Sequence, residues 1–387
     1  MELKDFLLSL LVIYVSARLL GEGAVRLGQA AVLGELLAGI VIGPHGLGWI
    51  GETATLRLLG EIGVILLLFE IGLESDLGAF LKVGWSAATV ATIGVLVPFV
   101  LGYGLCLGLG LPQRQAVFIG GTLTATSVAI SARVLADLAR LRTPEGNIIL
   151  GAAVLDDILG LVTLSAIIGL ATAGTVSWLT AGYTAVLALL ILAVAVALGI
   201  RFAHLFSRLA NRMNTRGGLV VSALSFALLL GYVAEEMGLA ALVGAFAAGL
   251  ILARSEHNIR VEFTIKPVAD VFVPIFFVLI GAAVNLRALN PLDPDAWPSL
   301  LLAGALLLAA FAGKLVAGFG VMDRRVNRWA IGIGMLPRGE VGMIFASMGV
   351  AYQVLDETRY AVVILVVMLT TIASPLLLKR AFRQAAI

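Results

Sequence analysis

The chain has 387 residues, of which 60% are hydrophobic and 13% charged, and its mean hydropathy is +1.07. A soluble domain is roughly half apolar and a quarter charged, so this composition excludes a water-soluble fold and makes lipid the solvent. The net charge is only +2, and a single cysteine, Cys106, excludes a disulfide framework or a thiolate metal site.

A helix needs about 20 apolar residues to cross the hydrocarbon. Thirteen such runs are predicted, making an all-α integral membrane protein with one transmembrane domain over 1–387 and no soluble domain. The start, Met1 to Asp5, has no basic leader, so 5–20 is read as a retained span and not a signal peptide. Spans follow at 28–44 and 55–73, the latter carrying Glu70 and Glu74 one turn apart, read as an interfacial or interhelical pair. Next come 83–108 and 114–139. The second holds Gly120-Gly121 among Thr122, Thr124, Thr126, Ser127 and Ser131, hydroxyls able to satisfy unwound backbone or ligate a cation.

The span at 145–172 carries Asp156 and Asp157, with Ile148 to Leu155 before them and Ile158 to Val162 after. Asp157 is twelve residues past Glu145, roughly 18 Å deep at helical rise. A linker helix is expected at 176–202, then 217–235 ending in a solvated Glu235-Glu236, then 238–254 and 264–286. The span 299–322 buries Lys314, about ten residues from the nearest cation, Arg324, at its end. The span 327–352 is interrupted by Gly332, Gly334, Pro337, Arg338, Gly339 and Glu340, and 357–378 is the last. His45, His204 and His257 fall at segment ends, so no histidine metal centre and no cofactor is expected.

Alternate loops sort the charges. Of 26 basic residues, Lys4, Arg57, Arg114, Arg287 and Arg359 fall on one side, Lys314 and Arg338 inside spans, and the other nineteen on the opposite side. The positive-inside rule then puts the N-terminus outside and the C-terminus in the cytoplasm. The five tryptophans lie near span ends, as an aromatic belt requires.

The two halves, about 1–172 and 217–387, resemble each other. Leu36-Leu37-Ala38-Gly39-Ile40 matches Phe246-Ala247-Ala248-Gly249-Leu250, Leu67 to Gly72 matches Phe276 to Gly281, and Leu155-Asp156-Asp157-Ile158 matches Leu369-Thr370-Thr371-Ile372, at offsets of 210, 209 and 214. Seven spans is an odd displacement, so the second copy enters the membrane from the other face. Inverted repeats of this kind build secondary transporters, whose site lies where paired helix interruptions meet.

An ionised side chain at the bilayer centre costs at least about 2.5–3.5 kcal/mol and marks function. Burial and a neighbouring like charge both favour the protonated form of a carboxylate. Such a group can trade a proton for a hard cation, for which oxygen ligands are suited. Asp157 is the expected exchange site, with Asp156, Thr126 and Ser127 as further ion ligands. Lys314 is the expected partner of Asp156. Thr124, Pro337, Arg338 and Glu340 are expected to be structural, the last two neutralising half-helix ends.

At these residues the chain resembles the second large branch of the monovalent cation/proton antiporter superfamily. The matching motifs are Leu68-Phe69-Glu70-Ile71-Gly72-Leu73-Glu74, Thr124-Ala125-Thr126-Ser127, Ala153-Val154-Leu155-Asp156-Asp157 and Pro337-Arg338-Gly339-Glu340-Val341-Gly342. The resemblance implies the sodium/proton antiporter fold with two crossed broken helices, a core and a dimerisation domain, elevator-like access, a homodimer, and a bacterial inner membrane. Within it an aspartate pair plus a lysine implies electrogenic exchange of Na+, or Li+, for H+. K+/H+ antiport or K+ efflux is the alternative within the superfamily, disfavoured because the gated efflux relatives carry a nucleotide-binding domain not found before Ile387. An intramembrane aspartyl protease needs carboxylates facing from two helices and a Gly-Asp motif, which this chain lacks. A cation channel needs a filter or charged rings, and an organic-anion carrier would not suit bare carboxylates. No enzyme activity and no nucleic-acid partner are expected.

Overall fold

A computed structural model of the chain describes residues 3–51, 53–75, 78, 82–173, 182, 218–236, 240–253, 255, 258–283, 297–323 and 325–384. Among the described residues there are helices α1 (Leu3–Arg26), α2 (Ala31–Ile42), α3 (Ala54–Glu74), α4 (Gly84–Gly108), α5 (Gln113–Thr122), α6 (Val128–Asp137) and α7 (Pro144–Ala173). The second half supplies α8 (Gly218–Glu236), α9 (Ala241–Leu252), α10 (Asn258–Ala282), α11 (Trp297–Gly318), α12 (Arg328–Gly334), α13 (Glu340–Ala351) and α14 (Glu357–Gln384). These helices fall on twelve of the predicted spans; the linker predicted at 176–202 lies, apart from Gly182, outside the described residues. Six of them, α4, α7, α8, α10, α11 and α14, contain stretches long and apolar enough to cross a membrane.

The interruptions foreseen at 114–139 and 327–352 are real breaks. After α5 the Thr122 and Thr124 hydroxyls donate to the Ile119 and Gly121 carbonyls (both 2.7 Å), satisfying acceptors that a continuing helix would have used. The chain runs non-helically until Ser127, whose hydroxyl caps α6 by accepting from Ile130 N. In the other break Pro337 has no amide hydrogen to continue α12.

Two bundles result. In the first, α1, α2 and α3 pack with α8, α9 and α10; in the second, α4, α5, α7, α11, α12, α13 and α14 pack together. Lipid gives no hydrophobic drive for helices to associate, so close backbone approach at small residues matters. A methyl on Gly39 would stand 2.0 Å from the Val278 carbonyl oxygen, and one on Gly281 2.0 Å from that of Leu36. Gly72 and Gly249 make the same contact between α3 and α9: their added methyls would meet the Phe246 and Phe69 carbonyls at 2.4 and 2.2 Å.

The short α6 touches α7 on one side and α2 and α3 of the other bundle. Arg133 of α6 reaches Glu35 of α2 at 3.9 Å and Asp137 at 3.2 Å. Asp137 lies by the backbone amides of Ala31 and Val32, at the first turn of α2, whose N-cap makes no side-chain hydrogen bond. Arg142 Nε donates to the Glu74 carbonyl at 2.9 Å. All these contacts lie on the side to which the sequence sorts its basic loops.

Candidate ion-binding site

The two breaks face each other. Ser127 N donates to Pro337 O at 2.8 Å, the Thr126 hydroxyl to Met335 O at 3.2 Å, and the Ser131 hydroxyl to Gly334 O at 2.7 Å. Gly339 fits closely here: a methyl on it would lie 2.8 Å from Ser127 Oγ, so the serine would have to shift. Unwound backbone deep in a membrane must find partners inside the protein. Each break therefore satisfies part of the other.

Arg338 closes the crossing. It is fully buried, and its Nη2 donates to Leu123 O, just past the end of α5, at 2.7 Å. Its backbone is held by Thr371 of α14, whose hydroxyl accepts from Arg338 N and donates to Arg338 O. Thr370 and Thr371 are the residues that the internal match aligns with the aspartate pair. Glu340 opens α13, but its side chain lies outside the described set.

Beside the crossing, α7 presents Asp156 and α11 presents Lys314. Lys314 is fully buried and donates to Thr124 O at 2.5 Å and to Thr126 Oγ1 at 2.7 Å, with Asp156 Oδ1 at 3.5 Å. The lysine expected to pair with Asp156 is thus bound first by the unwound segment after α5. Gly94 of α4 leaves room for it, since a methyl there would already touch Lys314 Nζ at 3.5 Å. Asp156 is 1% exposed, and its Oδ2 is buried without a hydrogen-bond partner. Asp157, next on the helix and so turned about 100° away, keeps 8% exposure. The hydroxyl of Ser127, expected from sequence to be an ion ligand, caps α6 with one of its two lone pairs. Thr126 bridges Lys314 to the second break.

Glu70 and Glu74 do not join this site. They take Lys266 of α10, at 3.4 and 3.6 Å. Glu35, only 6% exposed, is a charged residue inside a predicted span that no motif marks. Its position in an apolar run was the signal available to find it.

Over residues 7–384 the sequence matches the family profile described as sodium/hydrogen exchanger, transmembrane. The high-affinity Na+/H+ antiporter NhaS3 of Synechocystis is 39% identical, the match covering 99% of this chain and 91% of that protein. The Na+/H+-K+ antiporter GerN of Bacillus cereus is 36% identical over 98% of this chain and 96% of its own length. The solved sodium/proton antiporter MjNhaP1 of Methanocaldococcus jannaschii shares 20% identity but the same fold, at TM-score 0.68 over 99% of this chain and 100% of that one. The chain belongs to the transmembrane sodium/hydrogen exchanger family and is a multi-pass membrane cation/proton antiporter, a transporter and not an enzyme.

Proposed function

We propose that this antiporter exchanges Na+, or Li+, for H+ at Asp157, with Asp156 and Lys314 completing the site. The observation that carries the reading is two adjacent carboxylates buried on α7 beside two crossed helix breaks. One Asp156 oxygen has no hydrogen-bond partner there. A buried acceptor left unpaired asks for an explanation, and a hard cation supplies one. Asp157, turned about 100° away on the same helix, is buried but slightly less so than Asp156. The names of NhaS3 and of MjNhaP1 agree with Na+. The name of GerN gives K+ as well, so a K+-accepting site is the second reading.

Alternating access is assigned to movement of the bundle carrying α7 against the bundle of α1–α3 and α8–α10, in the elevator manner. Supporting this, the site lies wholly within one bundle, and the Glu35–Arg133 ion pair and the Arg142–Glu74 hydrogen bond join the bundles on the basic side. With the N-terminus outside, that side is cytoplasmic. The inverted repeat is supported by the glycine contacts: Gly39 on Gly281 and Gly249 on Gly72 are the same pair under an offset of about 210 residues. We read the protein as an electrogenic homodimer of a bacterial inner membrane.

The test is proteoliposome exchange under an imposed pH gradient, adding Na+, Li+ or K+ in turn. Asp157→Asn cannot carry the exchanged proton and is expected to abolish Na+-driven proton flux while still folding. Near-normal flux in that variant would overturn the assignment.

A further inference from the structure

A cavity of about 400 Å³ opens where the two bundles meet, between the turn joining α1 to α2 and the last turns of α14. Leu27, Leu376 and Leu377 form apolar wall, and Lys379, Arg380 and Arg383 bring three cations to it. Among the described residues no acidic side chain lines the cavity. Among the described residues none of the three cations is in an ion pair. On a helix, positions 379 and 383 share a face and 380 lies beside them, so the charges converge.

The turn is shaped to this lysine. Gly28 ends α1 with φ +69, a left-handed conformation natural to glycine, and a methyl on it would stand 3.0 Å from Lys379 Nζ. The next residue, Gln29, also lines the cavity. Three cations brought together beside apolar wall, at the end of a membrane helix, suit an amphipathic anion. The guanidinium forks of Arg380 and Arg383 match phosphate oxygens, and Lys379 adds a point charge. Leu27 is 81% exposed and continues the apolar surface of α1 alongside, where an acyl chain would lie.

We propose that this cavity binds the phosphate group of an anionic membrane lipid, with its acyl chains along α1 and α14. Basic pockets between transmembrane helices on the cytoplasmic side take such headgroups. The occupant touches both bundles at once, since the α1–α2 turn belongs to one and α14 to the other. Binding itself does not depend on which cation the protein transports.

The full-length protein is to be purified in mild detergent with an equal mixture of phosphatidylglycerol and phosphatidylcholine, and retained lipid measured by native mass spectrometry. Retention of phosphatidylglycerol at least about tenfold over phosphatidylcholine is expected. The triple variant Lys379→Gln/Arg380→Gln/Arg383→Gln is expected to lose that preference. Arg260→Gln/Arg325→Gln, which removes two exposed cations outside the cavity on the same basic side, is expected to keep it. Ala373→Trp, which fills the cavity without changing charge, is expected to lose the lipid too, and serves if the triple variant does not fold. Glycerol phosphate in millimolar excess is expected not to displace the lipid. No preference in the unaltered protein, equal loss in the two charge variants, or retention in Ala373→Trp would each overturn the site. Full displacement by glycerol phosphate would leave a soluble anion as ligand and overturn the lipid.

Discussion

Lys314 Nζ lies 2.7 Å from the hydroxyl of Thr126 but 3.5 Å from the carboxylate of Asp156. The unwound stretch after α5, through Thr124 O and Thr126 Oγ1, is therefore the nearer partner of the buried ammonium. The Thr126 hydroxyl passes the connection on by donating to Met335 O in the second break. A cation that draws Asp156 away leaves Lys314 with two good acceptors, which limits the cost of separating the pair.

That arrangement predicts an unequal set of couplings. Breaking a buried ion pair from one end costs about 3–5 kcal/mol, because the remaining charge is stranded. Lys314→Ala should lower thermal stability clearly, and adding Asp156→Asn should recover part of the loss. Thr126→Val, which keeps the shape but removes the hydroxyl, should couple to Lys314→Ala at least as strongly. Melting curves of the four combinations for each pair give the coupling energies, expected at about 0.5–3 kcal/mol. Strictly additive losses for both pairs would remove the direct contacts from the account.

Arg338 should behave as the keystone of the crossing. Its guanidinium donates to Leu123 O at 2.7 Å and more weakly to Leu336 O at 3.4 Å. Arg338→Ala leaves these buried carbonyls without their donor, at about 1–3 kcal/mol each. Arg338→Lys can reach one of them and should recover part of the loss. Amide hydrogen exchange at residues 123–127 should accelerate in the alanine variant. Unchanged exchange and melting would mean that the breaks hold each other without the arginine.

Much of this was legible in the sequence because the chemistry is unusual for a membrane. Charges in apolar runs marked Asp156, Asp157 and Lys314, and glycine, proline and hydroxyl clusters marked both broken spans. The short matches near an offset of 210 contain Gly39, Gly72, Gly249 and Gly281, the glycines at which α2 meets α10 and α3 meets α9. What stayed hidden were partners that are not side chains. The Thr124 and Leu123 carbonyls, which take Lys314 and Arg338, carry no signal in residue identity. The Glu35–Arg133–Asp137 group was hidden for another reason: it forms only when α6 of one bundle meets α2 of the other.

The contact between Glu35 and Arg133 offers a test of bundle movement. Cys106, the chain's one cysteine, is buried, and Cys106→Ala gives a cysteine-free background. In that background Glu35→Cys/Arg133→Cys, at positions whose native side chains meet only at their tips, should be bridged by a bis-methanethiosulfonate spacer, tying α2 to α6. Exchange in proteoliposomes should then fall to background and return on reduction. Full exchange by quantitatively cross-linked protein would mean that this contact need not open during the cycle.

Voltage dependence decides how many protons accompany each cation. If Na+ displaces one proton from Asp157 and a second from Asp156 or Lys314, one net charge crosses the membrane per cycle. If Asp156 and Lys314 stay ionised throughout, one proton exchanges for one Na+ and no charge moves. The geometry allows the first scheme, since Asp156 keeps one unpartnered oxygen and lies 3.5 Å from the lysine. One charge across 100 mV is worth about 2.3 kcal/mol, which is roughly a 50-fold shift in the equilibrium ion ratio at 1.36 kcal/mol per decade. Proteoliposomes with fixed Na+ and H+ gradients and a K+/valinomycin potential should therefore show a reversal point that moves with voltage. In Asp156→Asn the second proton loses one of its two sites, so a reversal point that stops moving would assign that proton to Asp156. A reversal point in the unaltered protein that ignores the potential would establish one-for-one exchange and leave Lys314 as a fixed counter-charge.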